Sequence, residues 1–304
     1  RRQRQMCIRD RVKPLAHEVD EQERFPYETV EKMAKLGLMG IIVPKEYGGM
    51  GGDYKMYIKA VEELSKVCAT TGVILSAHTS LCIAPIMEYG NEEQKKKYLP
   101  KLASGEWLGA FGLTEPNAGT DANNQTTTAV KEGDHWVLNG SKIFITNAGP
   151  ANVYFVIAVT GRNPKGVECA AFIVEKGFPG FSVGKKELKM GIRGSSTCEL
   201  IFENCIVPEA NLVGKIGEGV KMALKTLDGG RVGISAQALG IAEGALEATV
   251  AYVKERKQFN KPISAFQNTQ FCLADLYTKI NAASLLVERA TEAKQNKSPM
   301  LGMY

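Results

Sequence analysis

Apolar residues in the first third of the chain recur at helical spacing. Between Tyr27 and about Gly105 they fall every three or four positions, as in helices that bury one face. The segment 91–94 predicts a helix start, because Asn91 can cap the first turn and Gln94 can complete a capping box. The two glutamates between them favour the positive end of the helix. This helix is predicted to run to about Leu102, and the whole region is predicted to be helical.

From Trp107 to about Val213 the apolar period changes to two. Apolar and polar residues alternate in three segments, and two continuous apolar runs are typical of strands buried on both faces. The five segments are 135–138, 142–146, 196–202, 153–159 and 170–174. Turn sequences separate them at Glu132-Gly133-Asp134, at Asn139-Gly140, and at 161–166 and 177–180. The middle third is therefore predicted to be an antiparallel β barrel or sandwich.

The helical period returns after Gly219, where the spacing predicts a helix of about 35 residues. Pro262 is predicted to open a second long helix. Two helices cannot cover each other's apolar stripe, so they need further helices or another subunit, yet the sequence stops at Tyr304. We therefore expect an incomplete helical bundle in a C-terminally truncated chain.

The order of helices, sheet and helices predicts an α+β fold with three domains. The predicted parts are an arm at 1–12, an all-α domain at 13–107, a β domain at 108–213 and a truncated helical domain at 214–304.

Composition and charge remove several classes of function. With 304 residues, 44% hydrophobic and 23% charged, the chain is long enough for two or three ordinary globular domains. Residues 1–13 account for the whole net charge of +5, so no basic field for nucleic acid covers the rest. We give residues 1–12 no functional weight and expect a non-native or disordered arm there.

Cysteine and histidine usage points away from disulfides and metals. The seven cysteines include no CxxC pair, which predicts reduced thiols in a cytosol-like compartment. The three histidines are far apart, so no metal site is expected. Residues 67–87 carry no charge and could span a bilayer by length, but their Thr, Ser, His, Gly and Pro content favours a buried helix. Nucleotide-hydrolysis, lipase-like and Rossmann signatures are absent.

The loop from Phe111 to Asp121 is the first candidate for chemistry. Gly112 and Gly119 allow a ligand to approach the backbone, Pro116 stiffens the turn, and threonine hydroxyls can donate or accept hydrogen bonds. Such a loop suits a flat heteroaromatic ligand. Taken alone, a loop rich in Gly and Thr is more often only a connection.

Together with other strings, this loop becomes specific. The strings are Leu113-Thr-Glu-Pro with Gly119-Thr-Asp, Asn139-Gly-Ser-Lys-Ile-Phe-Ile-Thr-Asn147, Gly191-Ile-Arg-Gly-Ser-Ser-Thr-Cys198, Leu227-Asp-Gly-Gly-Arg231 and Glu255-Arg-Lys-Gln-Phe259. In order and spacing they resemble the acyl-CoA dehydrogenase family over about residues 14–298. The segments 228–231 and 237–240 are most similar to its short-chain, butyryl-CoA branch.

The resemblance implies FAD held between a β domain and helical domains of a homotetramer, a dimer of dimers. Phe111, the Leu113 backbone and the Thr114 hydroxyl would lie on the pyrimidine side of the flavin. Phe144, Ile145 and Thr146 would cover its face; without the resemblance, Phe144 would be interpreted as a core strand residue. The FAD of a neighbouring subunit would contact Arg256, Phe259 and Gln267, although Arg256 alone would be a solvated helix end.

The same resemblance implies an acyl-CoA site. Its residues would be Thr120, Asp228, Gly229, Gly230 and Arg231. Glycines inside a helix cost about 1 kcal/mol each relative to Ala, so close approach of substrate or simple helix packing must explain them. If Arg231 is buried, it needs a partner such as Asp228 or the site wall.

The implied reaction is α,β-dehydrogenation of a short-chain acyl-CoA, with electrons passed to an electron-transfer flavoprotein in the cytoplasm, or in the mitochondrial matrix of a eukaryote. The family's glutamate base would lie beyond Tyr304, or in a minority branch where Gly230 stands here, so we expect this chain to be inactive. An acyl-CoA oxidase using oxygen and a non-catalytic acyl-CoA-binding scaffold remain as alternatives.

Overall fold

The computed structural model describes Ile8, residues 12–164 and residues 166–303. Most of the predicted arm at 1–12, and Cys7, lie outside the described residues. Helices fill the first third, as the spacing predicts. They are α1 (Ala16–Glu21), α2 (Tyr27–Lys35), α3 (Tyr54–Ser65), α4 (Ala69–Ala77), a π-helical segment (His78–Ile83), α5 (Ala84–Tyr89) and α6 (Glu92–Ser104). Short 3-10 turns lie at Lys13–Leu15, Leu38–Gly40 and Lys45–Tyr47.

Helix α6 begins where the sequence predicts. The Asn91 side chain accepts from Gln94 N at 2.8 Å, and the Gln94 side chain accepts from Asn91 N at 3.1 Å. The capping box is therefore confirmed, and it satisfies two helix N–H groups that have no partner within the helix.

The helical run Ala69–Tyr89 is long and apolar enough to cross a membrane, with a hydropathy of 1.4, but 78% of it is buried within the protein. Its interior position agrees with the prediction of a buried helix. The two remaining helices are long: α7 (Gly219–Glu255) and α8 (Gln267–Gln295), with a final 3-10 turn at Pro299–Met303.

Eight strands occupy the middle third. They are β1 (Gly109–Gly112), β2 (Thr128–Glu132), β3 (His135–Thr146), β4 (Val153–Asn163), β5 (Gly166–Glu175), β6 (Phe181–Lys186), β7 (Thr197–Pro208) and β8 (Leu212–Val213), with a 3-10 turn at Glu209–Asn211. They form one sheet in the order β6-β7-β3-β2-β4-β5-β8, with β1 added beside β4.

The predicted α+β order of helices, sheet and helices is confirmed, but the sheet is neither purely antiparallel nor a closed barrel. Strands β1 and β2 both run parallel to β4, so the sheet is mixed, and its order ends at β6 and β8 without closing. Alternation of apolar residues reports which face of a strand is buried and carries no information about the neighbour or its direction. One face of β4 packs on the helices and the other on the inner core of the curled sheet, which explains its continuous apolar run.

One predicted turn and one predicted helix start also need correction. Asn139-Gly140 lies inside β3, where Gly140 has φ +134° at a register shift against β7. Pro262 does not start the last helix, because it belongs to a two-stranded ribbon of β9 (Lys257–Gln258) and β10 (Lys261–Pro262), followed by a 3-10 turn at Ile263–Ala265. Proline ends that ribbon strand, and α8 begins five residues later.

Candidate functional site

The loop after β1 places the first group of predicted residues. Glu115 and Ala118 exchange backbone hydrogen bonds of 3.2 and 3.1 Å across Pro116, which makes a tight turn. Leu113 is buried and Thr114 is half-buried. Within the described chain, the Thr114 backbone N–H has no hydrogen-bond acceptor, whereas its carbonyl oxygen accepts from Ile143 N at 2.8 Å. The loop is thus fastened to β3 through the Thr114 carbonyl, while the Thr114 N–H is free of a protein acceptor among the described residues.

Phe144 stands out on β3. It has φ +60°, in the left-handed region, and its side chain is 61% exposed. A register shift between Lys142 and Ile145 marks a bulge at this point. A bulky residue rarely adopts this conformation unless its surroundings require it, and such strain concentrates at ligand sites. The interpretation of Phe144 as a core residue is therefore wrong.

The bulge separates Phe144 from its neighbours on β3. Ile145 is buried in the inner core of the sheet, and Thr146 is half-buried opposite Thr197 of β7. Phe111 is also buried, with its ring stacked 6.2 Å from that of Phe155. Thr114, Phe144 and Thr146 therefore lie around one bulge, while the side chains of Phe111 and Ile145 face the core.

A buried ion pair that sequence reasoning missed lies beneath this loop. Lys142 and Glu115 side chains are 0% and 1% exposed, with Nζ 2.6 Å from Oε1. Burial opposes ionisation of Glu115, but the Lys142 charge and donors from Thr126 outweigh it and lower its pKa to about 2. Burial also lowers the pKa of Lys142 to about 8 despite the attraction of Glu115. The sequence signal for this ion pair is a lysine that directly precedes Ile-Phe-Ile in a predicted strand, because a buried lysine needs a partner.

Four of the five predicted acyl-CoA residues lie on α7. Arg231 is 69% exposed and donates to Asp228 at 2.8 Å, so its partner is the i−3 carboxylate and it is not buried. A Cβ on Gly230 would lie 2.8 Å from the Leu81 side chain. One on Gly229 would lie 3.2 Å from Lys294 and 3.4 Å from Tyr54. Neighbouring side chains therefore approach both glycines closely. Thr120 is exposed in its loop.

The π-helical segment His78–Ile83 lies between the residues on α7 and the strand β1 that precedes the 113–127 loop. Leu81 contacts the Gly230 position, and His78 Nδ1 accepts from Gly109 N of β1 at 3.0 Å. Buried side-chain oxygens without a partner occur in Thr79 of this segment, and also in Tyr89, Asn147 and Thr226. A π-helical turn is a frequent companion of functional sites.

The residues predicted to contact the FAD of a neighbouring subunit lie far from Arg231. Arg256 follows the end of α7, about 37 Å along the helix from Arg231. Arg256, Phe259 and Gln267 are all exposed; Phe259 reaches 87% and has φ +52°. These three residues gather around the β9–β10 ribbon and do not join the Thr114–Phe144 group in the same chain.

Three matches to a known family account for nearly the whole sequence. Residues 1–106 match the acyl-CoA dehydrogenase N-terminal domain, residues 110–205 its middle domain, and residues 217–303 its C-terminal domain. The chain belongs to the acyl-CoA dehydrogenase family. This membership makes it a member of an oxidoreductase and flavoprotein family.

Individual acyl-CoA dehydrogenases are also similar to this chain in sequence and in structure. A short-chain-specific acyl-CoA dehydrogenase of Clostridium acetobutylicum is 60% identical over 95% of this chain and 76% of its own length. Butyryl-CoA dehydrogenase from Megasphaera elsdenii superposes with a TM-score of 0.95 at 48% identity, covering 98% of this chain and 79% of that one. A structure described as an electron transferring flavoprotein of Acidaminococcus fermentans gives a TM-score of 0.92 at 53% identity, covering 97% and 80%.

Proposed function

We propose that the protein takes part in FAD-dependent α,β-dehydrogenation of a short-chain acyl-CoA to the 2-enoyl-CoA. The observation that carries this proposal is Phe144, an exposed aromatic side chain held in a left-handed conformation. It follows Ile143, whose N–H donates to the Thr114 carbonyl. A flavin site needs an apolar wall and backbone donors at its pyrimidine side, and both are present here. The residues therefore fit the cofactor. FAD supplies the acceptor for the hydride that leaves the β carbon.

The residues have separate roles in this proposal. The backbone of Leu113 and the N–H and hydroxyl of Thr114 hold the pyrimidine side, and Phe144 with Thr146 excludes water from the ring face. Since the Ile145 side chain is buried, only its backbone reaches the ring. Phe111 supports the site from below by packing on Phe155.

The acyl-CoA thioester is assigned to the region where the π-helical segment meets α7, at Leu81 and Gly230. Gly229 is assigned to the same region, and Thr120, Asp228 and Arg231 are assigned to the polar part of the substrate. Gly230 carries no carboxylate, and that of Asp228 is paired with Arg231. The base that removes the α proton is therefore assigned to none of these residues. We therefore expect the 304-residue chain to bind flavin only weakly and to show no turnover.

Arg256, Phe259 and Gln267 are assigned to the FAD of a neighbouring subunit in a dimer of dimers. Their exposure supports this, because an always-charged guanidinium is suited to a pyrophosphate. A groove of about 670 Å³ between α7 and α8, lined mostly by apolar residues such as Leu246 and Leu276, also supports packing against further helices.

An electron-transfer flavoprotein is the proposed electron acceptor, supported by the similarity to the Acidaminococcus structure. The proposed location is the cytoplasm of a bacterium or the mitochondrial matrix of a eukaryote. The three-domain division at residues 107/108 and 213/214 is part of the same proposal.

The test is reconstitution of the purified chain with FAD. We expect a yellow protein with a band near ~450 nm that shifts, without bleaching, when butyryl-CoA is added. A colourless protein would contradict the flavin assignment and favour the scaffold alternative. Bleaching by butyryl-CoA would support the activity and contradict the absence of a base. Oxygen uptake during that bleaching would favour the oxidase.

A further inference from the structure

The buried ammonium of Lys142 has all three of its donors engaged. It donates to Glu115 Oε1 at 2.6 Å, to Gln125 Oε1, and to the Leu113 carbonyl at 3.2 Å. Three acceptors match the donor capacity of a lysine, so no hydrogen of this group is left unsatisfied. Residues of the 113–127 loop and of β3 thereby share one closed network.

Glu115 completes the network on the loop side. Its carboxylate also accepts from Thr126 N at 2.6 Å and from Thr127 N at 3.0 Å. Gln125 Nε2 donates to the Leu113 carbonyl at 3.1 Å. The Leu113 carbonyl therefore receives two hydrogen bonds, one of them from a buried cation.

The peptide unit that receives these bonds is the one that presents the free donor. The Leu113 carbonyl and the Thr114 N–H belong to the same trans peptide, so the N–H points away from the buried network. A carbonyl that accepts from a cation polarises its peptide and strengthens the opposite N–H as a donor. The Thr114 N–H has no other acceptor within the described chain.

We propose that Lys142 is a positioning residue for the flavin, acting through the Leu113–Thr114 peptide to strengthen the Thr114 N–H. This inference rests on the proposed function. Because negative charge grows at the pyrimidine side when a flavin is reduced, a strengthened donor there favours the reduced cofactor over the oxidised one. Lys142 itself touches neither cofactor nor substrate.

The test compares binding of oxidised and reduced FAD at pH 7. The variant Lys142→Met/Glu115→Gln removes both charges together and leaves neither unpaired in the core. We expect it to weaken binding of reduced FAD tenfold more than binding of oxidised FAD. For a two-electron couple this corresponds to a midpoint potential about 30 mV lower, measured against a reference dye. Gln125→Met keeps the ion pair but removes one donor to the Leu113 carbonyl and one acceptor of Lys142, and it is expected to give about a threefold change.

Tyr98→Phe is the matched control. It removes buried hydrogen bonds to Glu175 and Asn211 at a site away from the loop, so it reduces stability and is expected to leave the ratio of the two affinities unchanged. The inference about Lys142 would be overturned, and the proposed function left intact, by either of two results. One is an unchanged ratio of affinities for reduced and oxidised FAD in the folded Lys142 and Gln125 variants. The other is an equal change of that ratio in Tyr98→Phe. If the double variant does not fold, Gln125→Met decides. If the wild-type chain binds no FAD, the proposed function fails and this inference with it.

Discussion

Gly240 of α7 lies so close to Glu62 of α3 that a Cβ there would stand 2.3 Å from the Glu62 carbonyl oxygen. Backbone cannot move aside as a flexible side chain can. We expect Gly240→Ala to lower the free energy of unfolding by about 2–3 kcal/mol, measured by urea denaturation.

Gly230→Ala is the matched comparison on the same helix. Its Cβ would meet only the end of the flexible Leu81 side chain, and Ala has the better helix propensity. The two effects oppose each other, so a change within about 1 kcal/mol of the wild type is expected. Equal losses for both glycines would contradict the packing explanation.

His78 predicts acid destabilisation. Burial lowers its pKa to about 4, against hydrogen bonding that includes the Leu102 carbonyl, so the folded protein holds the imidazole neutral while the unfolded chain titrates near 6.5. Stability is therefore complete above pH 6.5 and falls by about 3 kcal/mol as the pH drops to 4.

Urea unfolding at several pH values between 7 and 4 measures this loss. His78→Gln is expected to be less stable at pH 7 and to show a flatter dependence across this range. Gly240→Ala is the control, because it is expected to be destabilised but keeps His78, and it should retain the wild-type slope. A slope retained by His78→Gln would refute the assignment.

Phe144 predicts opposite effects on stability and on cofactor binding. Glycine adopts φ +60° without steric cost, so Phe144→Gly is expected to raise the free energy of unfolding by about 1 kcal/mol. It also removes the aromatic wall and should weaken FAD binding at least tenfold, measured by fluorescence titration. Ile192→Gly relieves a similar backbone strain at φ +53° and should leave FAD binding unchanged. Weakened FAD binding in both variants would remove the argument for Phe144.

Substitution of Arg231 tests whether this residue stabilises the fold or binds the acyl-CoA. Its exposed pair with Asp228 contributes less than about 1 kcal/mol, so Arg231→Ala is expected to change stability little. If it binds the acyl-CoA, the same variant weakens butyryl-CoA binding about tenfold in calorimetric titration. Lys279→Ala breaks the comparable exposed pair with Asp275 on α8 and should leave that binding unchanged. Equal binding by both variants would contradict the assigned role.

The sequence predicted elements best where local signals decide structure. The Asn91–Gln94 capping box and the 37-residue α7 are local, and both are present. The parallel pairing of β1 with β4 joins residues 109 and 153, and no local pattern specifies such a contact.

The candidate site shows the same limit of local sequence patterns. The family resemblance indicates Phe144, but its exposure depends on a bulge between Lys142 and Ile145 that changes the alternation of β3, while Lys142 is buried at the last regular position before that bulge. Lys142 in turn is stable there only because Glu115, twenty-seven residues earlier, returns beneath it. A buried charge pair is a tertiary property, so spacing along the strand could not predict it.

Helix α7 is seated against backbone at more than one point along its length. Gly240 and Gly244 place it against the carbonyls of Glu62 and Lys66, and Gly219 places its start against the backbone of Cys169 and Ala170. Since packed interiors transmit displacement and do not absorb it, these contacts hold residues 228–231 at a fixed spacing from Arg256. A substitution that disturbs one of these glycines therefore affects the candidate acyl-CoA residues and the candidate contacts to a neighbouring subunit's FAD together.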